Sequence, residues 1–256
     1  MRLLPDGSGG YTYEQFSDQI GAFGPGFMGF APDGNLVVAA DSEDRVVVLD
    51  IETGLEVGSL VDSGCCNLIG LAVHGNLVYS AELFQNRILR GNLSAVAPDL
   101  EVFIDDSDNL NVVLGMTVGH TGNLFQTTSQ APTINEYDSL TGELVGQFMD
   151  LEPLGLSGAI DIVYDEEANR YYVTRPGGML VVDSDGQLIH DFLSDYLGSN
   201  GDSSYGLAIR RSVGACCLNG GCVQLTSEQC AISEGEYHGD YSVCAEVTCT
   251  TDGACC

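Results

Sequence analysis

Apolar positions along the first two hundred residues fall in short alternating runs separated by glycine-containing turns, and the whole arrangement repeats. Most copies begin with an apolar run, continue through a turn that contains asparagine, and end in a second apolar run. The copies begin at Gly29, Gly70, Gly115, Asp161 and Gly206. The intervals between these starts are 41, 45, 46 and 45 residues, and no stretch sustains a helical period. Alternation with a period of two predicts half-buried β-strands.

The remainder of each unit also predicts strands. Residues 45–50 and 86–89 are rich in β-branched side chains, which favour an extended backbone. A glycine turn then leads into a further apolar run, at Gly54, Gly142 and Gly186. Each unit therefore predicts a four-stranded antiparallel blade, and the period predicts an all-β fold of the β-propeller type. An ordinary β-sandwich, the alternative, would not require repeats at a fixed period.

The repeat predicts four complete blades and parts of others. The complete units run from about residue 26 to about residue 196, within a propeller domain of residues 1–212. Residues 2–7 and 11–14 are similar to the outer strands of a preceding blade, and residues 204–210 to the inner strand of a following one. These remnants could join into one composite blade, because closure removes exposed sheet edges. We favour an N-terminally truncated propeller, since a composite blade would lack its second strand.

The carboxyl end has a different composition, in which cysteine is abundant. The sequence Gly-Ala-Cys-Cys at residues 214–217 returns at residues 253–256, which predicts one module at 213–252 and the start of a truncated second one at 253–256. The first module contains Cys216, Cys217, Cys222, Cys230, Cys244 and Cys249. Three disulfides suit so short a segment, which cannot bury a sufficient core. Zinc is disfavoured because paired Cys-x₂-Cys spacings are missing and His238 is the only nearby histidine. Adjacent cysteines should bond to different partners, since their side chains diverge in an extended chain.

Charge excludes several classes of function. The chain contains 8 basic and 37 acidic residues, for a formal net charge of −29, and none of the basic residues is lysine. Such a surface repels phosphate backbones, which excludes nucleic acid as a partner. No apolar run approaches the roughly 20 residues of a transmembrane helix. Disulfides predict an oxidising, secreted or cell-surface setting, yet the start of the chain does not read as a signal peptide. We therefore expect a fragment of a longer exported protein.

Catalytic propellers gather polar groups where the innermost strands begin, and here those positions are mostly apolar. Asp161 is the only carboxylate among them, and we expect it to accept hydrogen bonds from neighbouring backbone amides. His74 and His120 occupy the same turn of successive blades, so they could form a metal pair, although solvated turn residues are the simpler interpretation. His190 follows an outer strand and is interpreted as a surface residue. These positions predict no catalytic residue and no organic cofactor.

An acidic stretch is the candidate for calcium. Asp105, Asp106 and Asp108 have the oxygen-rich composition that calcium prefers, but the twelve-residue loop with a terminal bidentate glutamate is missing. Cys65 and Cys66 lie in a loop between blades, where they could form a vicinal disulfide or pair elsewhere.

Charged residues after the second strand predict ion pairs that hold neighbouring strands together. Asp41 and Glu82 occupy equivalent positions, and Arg45 and Arg87 follow them by four and five residues. Exposed pairs of this kind contribute only about 0–1 kcal/mol each.

Two resemblances add to this interpretation. The glycine, Gly-Asn turn and Asp-Arg-Val pattern of residues 29–46, repeated at 70–88, resembles NHL-type and related β-propellers, whereas blades three and four lack the arginine before their third strand. Residues 214–256 resemble Gly-Ala-Cys-Cys tandem modules of exported bacterial proteins. The first resemblance implies architecture alone, because related propellers include binding scaffolds, lactonases and lyases.

Two hypotheses about function follow. The first is a non-catalytic scaffold, whose propeller binds a protein or glycan ligand and whose cysteine modules form a durable stalk. The alternative is a metal-dependent propeller hydrolase or lyase, similar to a lactonase, with part of its site in blades that this chain does not contain.

Overall fold

A computed structural model describes the chain in two compact units, Met1–Ala208 and Ile209–Cys256. The sequence-based boundary at residues 212–213 lies slightly later. The residues described are 2–5, 11–14, 25–40, 43–61, 67–95, 99–193, 214–218, 220–225, 230–231, 233–239, 244 and 247–249. Cys65, Cys66, Asp41, residues 204–210 and residues 253–256 therefore lie outside the described residues. No helix in the described ranges is long and apolar enough to cross a membrane.

The first unit contains four sheets of four antiparallel strands each, which confirms the predicted β-propeller class. Blade 1 consists of β3 (Pro25–Phe30), β4 (Leu36–Ala40), β5 (Arg45–Leu49) and β6 (Glu56–Val61). Blade 2 consists of β7 (Leu68–His74), β8 (Leu77–Glu82), β9 (Arg87–Asn92) and β10 (Glu101–Asp105). Blade 3 consists of β11 (Val113–Val118), β12 (Leu124–Thr128), β13 (Thr133–Tyr137) and β14 (Leu144–Asp150). Blade 4 consists of β15 (Asp161–Asp165), β16 (Arg170–Arg175), β17 (Gly178–Asp183) and β18 (Leu188–Leu193).

Shorter elements complete this unit. Strands β1 (Arg2–Pro5) and β2 (Tyr11–Glu14) pair antiparallel as a separate two-stranded sheet. A 3₁₀ turn at Glu152–Leu154 connects blades 3 and 4, and Gly155 ends it in the left-handed region with a φ of 70°. Within every blade the chain order equals the spatial order, as sequential hairpins require.

The core lies between blades, because each sheet buries both faces of its middle strands. One cluster joins blades 1 and 2 through Val46, Leu60 and Leu71. A second cluster joins blades 2 and 3, and a third joins blades 3 and 4. Burial on both faces explains why the middle strands read as continuous apolar runs rather than as strict alternation.

Glycine allows the innermost strands of successive blades to approach each other closely. A Cβ atom on Gly70 would collide with the backbone oxygen of Leu114 at the start of the next blade. A Cβ atom on Gly115 would collide with Asp161 in the same way. The glycines that mark the sequence repeat at these two positions therefore serve the packing of one blade on the next.

The second unit is a small sheet held by three disulfides. Its order is β20 (Gly221–Leu225), β19 (Gly214–Leu218) and β21 (Glu236–Tyr237), with β19 in the centre. The bonds are Cys216–Cys230, Cys217–Cys249 and Cys222–Cys244. Cys216 and Cys217 are adjacent on β19 and bond to different partners, as the alternation of side chains along a strand predicts.

Candidate functional site

Where the innermost strands meet, polar side chains are engaged in hydrogen bonds that join strands. The single hydrogen of the Thr127 hydroxyl is shared between the backbone oxygens of Ile160 (3.2 Å) and Gly115 (3.3 Å). The hydroxyl oxygen also accepts from the Gly115 amide at 3.0 Å. Because Ile160 belongs to the next blade, this buried hydroxyl links blades 3 and 4. Asp161 is also buried, and its Oδ1 accepts from the amide of Ile162 at 2.8 Å, which is the structural role that the sequence predicts.

Blade 2 contains the ion pair expected from the strand-end pattern. The Glu82 side chain is fully buried, and its Oε2 accepts from Nε of Arg87 at 2.7 Å. Its second oxygen, Oε1, is buried without a hydrogen-bond partner among the described residues. The carboxylate depends on Arg87 for its compensation, because a buried charge is costly unless it is paired.

Arg45 of blade 1 also forms ion pairs at its strand end. Arg45 pairs with Glu43 and Glu56 at 2.6 and 2.7 Å, and its predicted partner Asp41 lies outside the described residues. Burial opposes the charge of Arg45, but hydrogen bonds to Glu56 and Glu43 and their negative charges outweigh it and raise the pKa of the guanidinium.

Blade 4 places an arginine at the strand end, which the sequence analysis missed. The Arg175 residue is only 6% exposed, and its guanidinium donates to Asp191 at 2.5 Å. Arg175 follows the second strand of blade 4 as Glu82 follows that of blade 2. A search for any charged residue at this position of the repeat, instead of an acidic one, would have found it.

The histidines occupy unrelated environments. His120 is exposed, and its Nδ1 lies 2.8 Å from the hydroxyl of Tyr171 in blade 4. Burial raises the pKa of Tyr171 well above its ordinary value, so this hydroxyl keeps its proton over the usual range of pH. His74 is exposed in the equivalent turn of blade 2, and the ring of His190 packs against Phe192 with 5.7 Å between centroids.

The three acidic candidates for calcium do not converge. Asp105 and Asp108 are exposed, whereas Asp106 accepts from Nδ2 of Asn109 at 2.9 Å and from the Tyr137 hydroxyl at 3.3 Å. Burial, followed by the nearby charge of Asp106, raises the pKa of Tyr137, which stays a donor. Across the residues that the structure describes, no group of three His, Cys, Asp or Glu side chains is placed to hold a metal ion. The structure shows a structural role for Asp106, as the acceptor that holds its loop.

A half-open cavity of about 380 Å³ lies at the surface between blades 1 and 2, and nothing in the sequence analysis pointed to it. Several of the residues that line it are exposed to solvent. Polar and apolar side chains line it together, among them Asp33, Asn76 and Ser94 on the polar side and Val57 and Leu93 on the apolar side. The sequence signal was indirect, because blade 2 lacks the glycine turn that blades 1, 3 and 4 place before their outermost strands.

Comparison with solved structures supports the fold. The chain is similar to a streptogramin B lyase, with a TM-score of 0.57 and 15% identity over 90% of this chain and 72% of that one. It is also similar to virginiamycin B lyase from Staphylococcus aureus, with a TM-score of 0.52 and 14% identity over 69% of this chain and 60% of that one. Hydrazine synthase from Kuenenia stuttgartiensis gives a TM-score of 0.54 and 13% identity over 81% of this chain and 56% of that one. The chain thus spans less than two thirds of two of these three proteins.

No protein-family model matches the sequence, and no curated protein matches it either. At 13–15% identity, the similarity to these structures shows a shared β-propeller fold and leaves activity open.

Proposed function

We propose that the chain is a non-catalytic binding scaffold from an exported or cell-surface protein. The propeller presents the ligand-binding surface, and the disulfide-linked module belongs to a durable stalk. The observation that carries this proposal is that the polar side chains near the ends of the inner strands form hydrogen bonds with the backbone. Thr127 and Asp161 are buried and engaged with backbone groups, and Thr127 thereby links one blade to the next. Such groups contribute to rigidity, which a binding scaffold needs, because it lowers the entropic cost of binding.

The three disulfides support the extracellular part of the proposal. They close loops with sequence separations of 14, 22 and 32 residues within one short unit. Bonds of this kind persist mainly in oxidising compartments.

The alternative function is a metal-dependent hydrolase or lyase. It is favoured by the similarity to streptogramin B lyase, which covers 90% of this chain. In this alternative, part of the active site would belong to blades that the chain does not contain.

The two functions are separated by a paired assay of the purified chain. One arm incubates it with a lactone panel and a cyclic depsipeptide in Mg²⁺, Mn²⁺ or Ca²⁺, and follows ring opening by mass spectrometry. The other arm measures saturable binding to arrays of glycans and exported proteins. We expect binding without turnover. Turnover that scales with protein concentration, stops with EDTA and returns with metal would overturn the scaffold proposal.

A further inference from the structure

Two interfaces between blades share a contact that the described residues of the interface between blades 1 and 2 do not make. The turn before the outermost strand of blade 3 packs through Gly142 on Phe103 of blade 2. The corresponding turn of blade 4 packs through Gly186 on Phe148 of blade 3. At both places the ideal Cβ position of the glycine lies 3.5 Å from Cε2 of the phenylalanine. A left-handed glycine over an aromatic ring therefore closes these two interfaces.

Among the described residues, the interface between blades 1 and 2 shows neither the glycine nor the aromatic ring of this contact. By count along the strand, Ser59 of blade 1 corresponds to the two phenylalanines, since each of the three residues directly precedes the buried residue that pairs with Val46, Ile88 or Ile134. Ser59 itself pairs with Val47, whereas the two phenylalanines lie at bulges. The turn of blade 2 has Leu93 and Ser94 in place of the glycine. The cavity of about 380 Å³ lies at this interface, and its size falls within the range of small-molecule sites.

The polar groups that line the cavity have unused hydrogen-bonding capacity. Asp33 accepts from the backbone amide and from Nδ2 of Asn35, both at 3.0 Å, and keeps further lone pairs on both oxygens. The side chains of Asn76 and Ser94 line the cavity and make no hydrogen bond to any described residue. Together they offer acceptors and donors side by side, which is what a hydroxyl group requires because it both donates and accepts.

The charge and the apolar surface of the cavity also limit which ligands can bind. The described residues of its walls include a carboxylate and no cationic side chain, and the chain carries a net charge of −29, so an anionic ligand is repelled. Val48, Val57 and Leu93 supply apolar surface beside the polar groups. A pyranose ring matches this combination, because it carries hydroxyl groups around its edge and C–H groups on its faces.

We propose that the cavity between blades 1 and 2 binds one neutral, hydroxyl-rich pyranose unit, either free or at the end of a glycan. This proposal rests on the binding function proposed above and names its ligand class.

Gly58 provides a sharp test, because it lines the cavity on the outermost strand of blade 1. A Cβ atom there would meet only Cβ of Val48, at 3.9 Å, so Gly58→Val should fold normally and fill the cavity. Gly146 pairs with Glu136 in blade 3 as Gly58 pairs with Val48, and a Cβ there meets nothing within 4 Å. Gly146→Val is therefore the matched control. Asp33→Asn is a second cavity variant, with Asp185→Asn as its control for lost charge.

Ligand-observed NMR of the whole chain would use methyl glycosides of glucose, galactose, mannose and N-acetylglucosamine, and the same sugars at the end of oligosaccharides in a second arm. We expect saturable binding of at least one glycoside. Binding should weaken at least tenfold in Gly58→Val and Asp33→Asn, with unchanged Tm, and persist in both controls. Tighter binding seen only with the oligosaccharides would show that the cavity recognises a pyranose at the end of a glycan rather than a free sugar.

Three results would overturn the proposal. These are no glycoside binding by the wild-type chain, equal binding by Gly58→Val, or binding of the amine probe spermidine in place of sugars. Equal binding by Gly58→Val would place the sugar elsewhere and leave the scaffold function standing, whereas metal-dependent turnover would remove that function itself.

Discussion

At the scale of single residues, we expect substitutions to be most destabilising where a glycine packs against the backbone of another blade or where a charged side chain is buried. Gly70 and Gly115 face the backbone of the next blade, and Glu82 is a fully buried carboxylate with one arginine partner. None of these residues needs a ligand to explain its role. Gly146, around which a Cβ atom would meet open space, and the exposed carboxylate of Glu101 allow comparison with less enclosed positions.

The first prediction concerns glycine. Gly70→Ala and Gly115→Ala should each destabilise the propeller by about 1–3 kcal/mol, because the new Cβ atom meets backbone that has to move. Gly146→Ala should be neutral or stabilising by up to about 1 kcal/mol, since open space surrounds that position. Urea denaturation of the three variants checks this, and equal effects at all three positions would contradict it.

The second prediction concerns the buried ion pair of blade 2. Arg87→Ala should cost about 3–5 kcal/mol, because it leaves the Glu82 carboxylate buried and uncompensated. The double variant Glu82→Gln with Arg87→Ala should recover part of that loss. Glu101→Gln is the control, since this carboxylate is 72% exposed and pairs with Arg90 at 3.3 Å, and it should cost only about 0–1 kcal/mol. A double variant no more stable than Arg87→Ala would argue against a charge effect.

At the scale of elements, an aspartate organises the turn before the outermost strand in blades 1, 3 and 4, and Asn92 takes that place in blade 2. Asp138 Oδ1 accepts from the amides of Leu140 (2.9 Å) and Thr141 (2.7 Å), and Asp50 accepts from the amide and hydroxyl of Thr53. In the second unit, the elements are instead held by disulfides across a three-stranded sheet.

The third prediction concerns pH and the turn of blade 3. The amides of Thr141 and Leu140 lower the pKa of Asp138 below its ordinary value of 3.8. Ionised Asp138 therefore contributes to the stability of the folded state above that value. This contribution is lost as the pH falls through the lower pKa that Asp138 has in the folded state. Asp138→Ala should have a lower Tm than wild type at pH 7, and the difference should narrow below pH 3.8. Asp185→Ala serves as the control and should show no such narrowing.

The fourth prediction concerns the second unit. Each bridge stabilises it by roughly 3 kcal/mol by restricting the unfolded chain, so reduction should unfold residues 214–249. The strands of blades 1 to 4 should keep their protection, because no described residue of these blades takes part in a disulfide. Hydrogen exchange measured with and without a reducing agent reports the protection of backbone amides in each unit separately. Loss of protection in the blades on reduction would show that a bridge outside the described residues supports them.

At the scale of the whole molecule, the dominant property is a net charge of −29. Like charges on a compact surface repel one another, and dissolved ions screen that repulsion. The fifth prediction is that Tm rises as ionic strength increases from about 10 mM to about 500 mM, where the screening length falls below about 5 Å. Sodium chloride and sodium perchlorate should both raise it. A flat or falling Tm would show that the acidic surface has no bearing on stability.

Much of the architecture was predictable because it depends on local patterning. The regular period, the glycine turns and the alternating runs predicted four blades of four strands, and all four are present. The cysteine spacing predicted three bridges within one short unit, and alternation along a strand predicted that Cys216 and Cys217 bond to different partners. Side-chain period and chain length determine such features without reference to distant residues.

The candidate site was not predictable in the same way, because it depends on what one blade presents to the next. Gly70 marked the repeat in the sequence, but only the structure shows that Leu114 lies against it. No sequence pattern predicted that Arg175 occupies the strand-end position that Glu82 has in blade 2. The cavity beside Gly58 is likewise visible only in the structure, because residues of blades 1 and 2 line it together. Local sequence determined the strands and turns of each blade, whereas contacts between residues about forty positions apart decided which interfaces are filled. Packing at these interfaces is a property of two blades together, and no single repeat contains it.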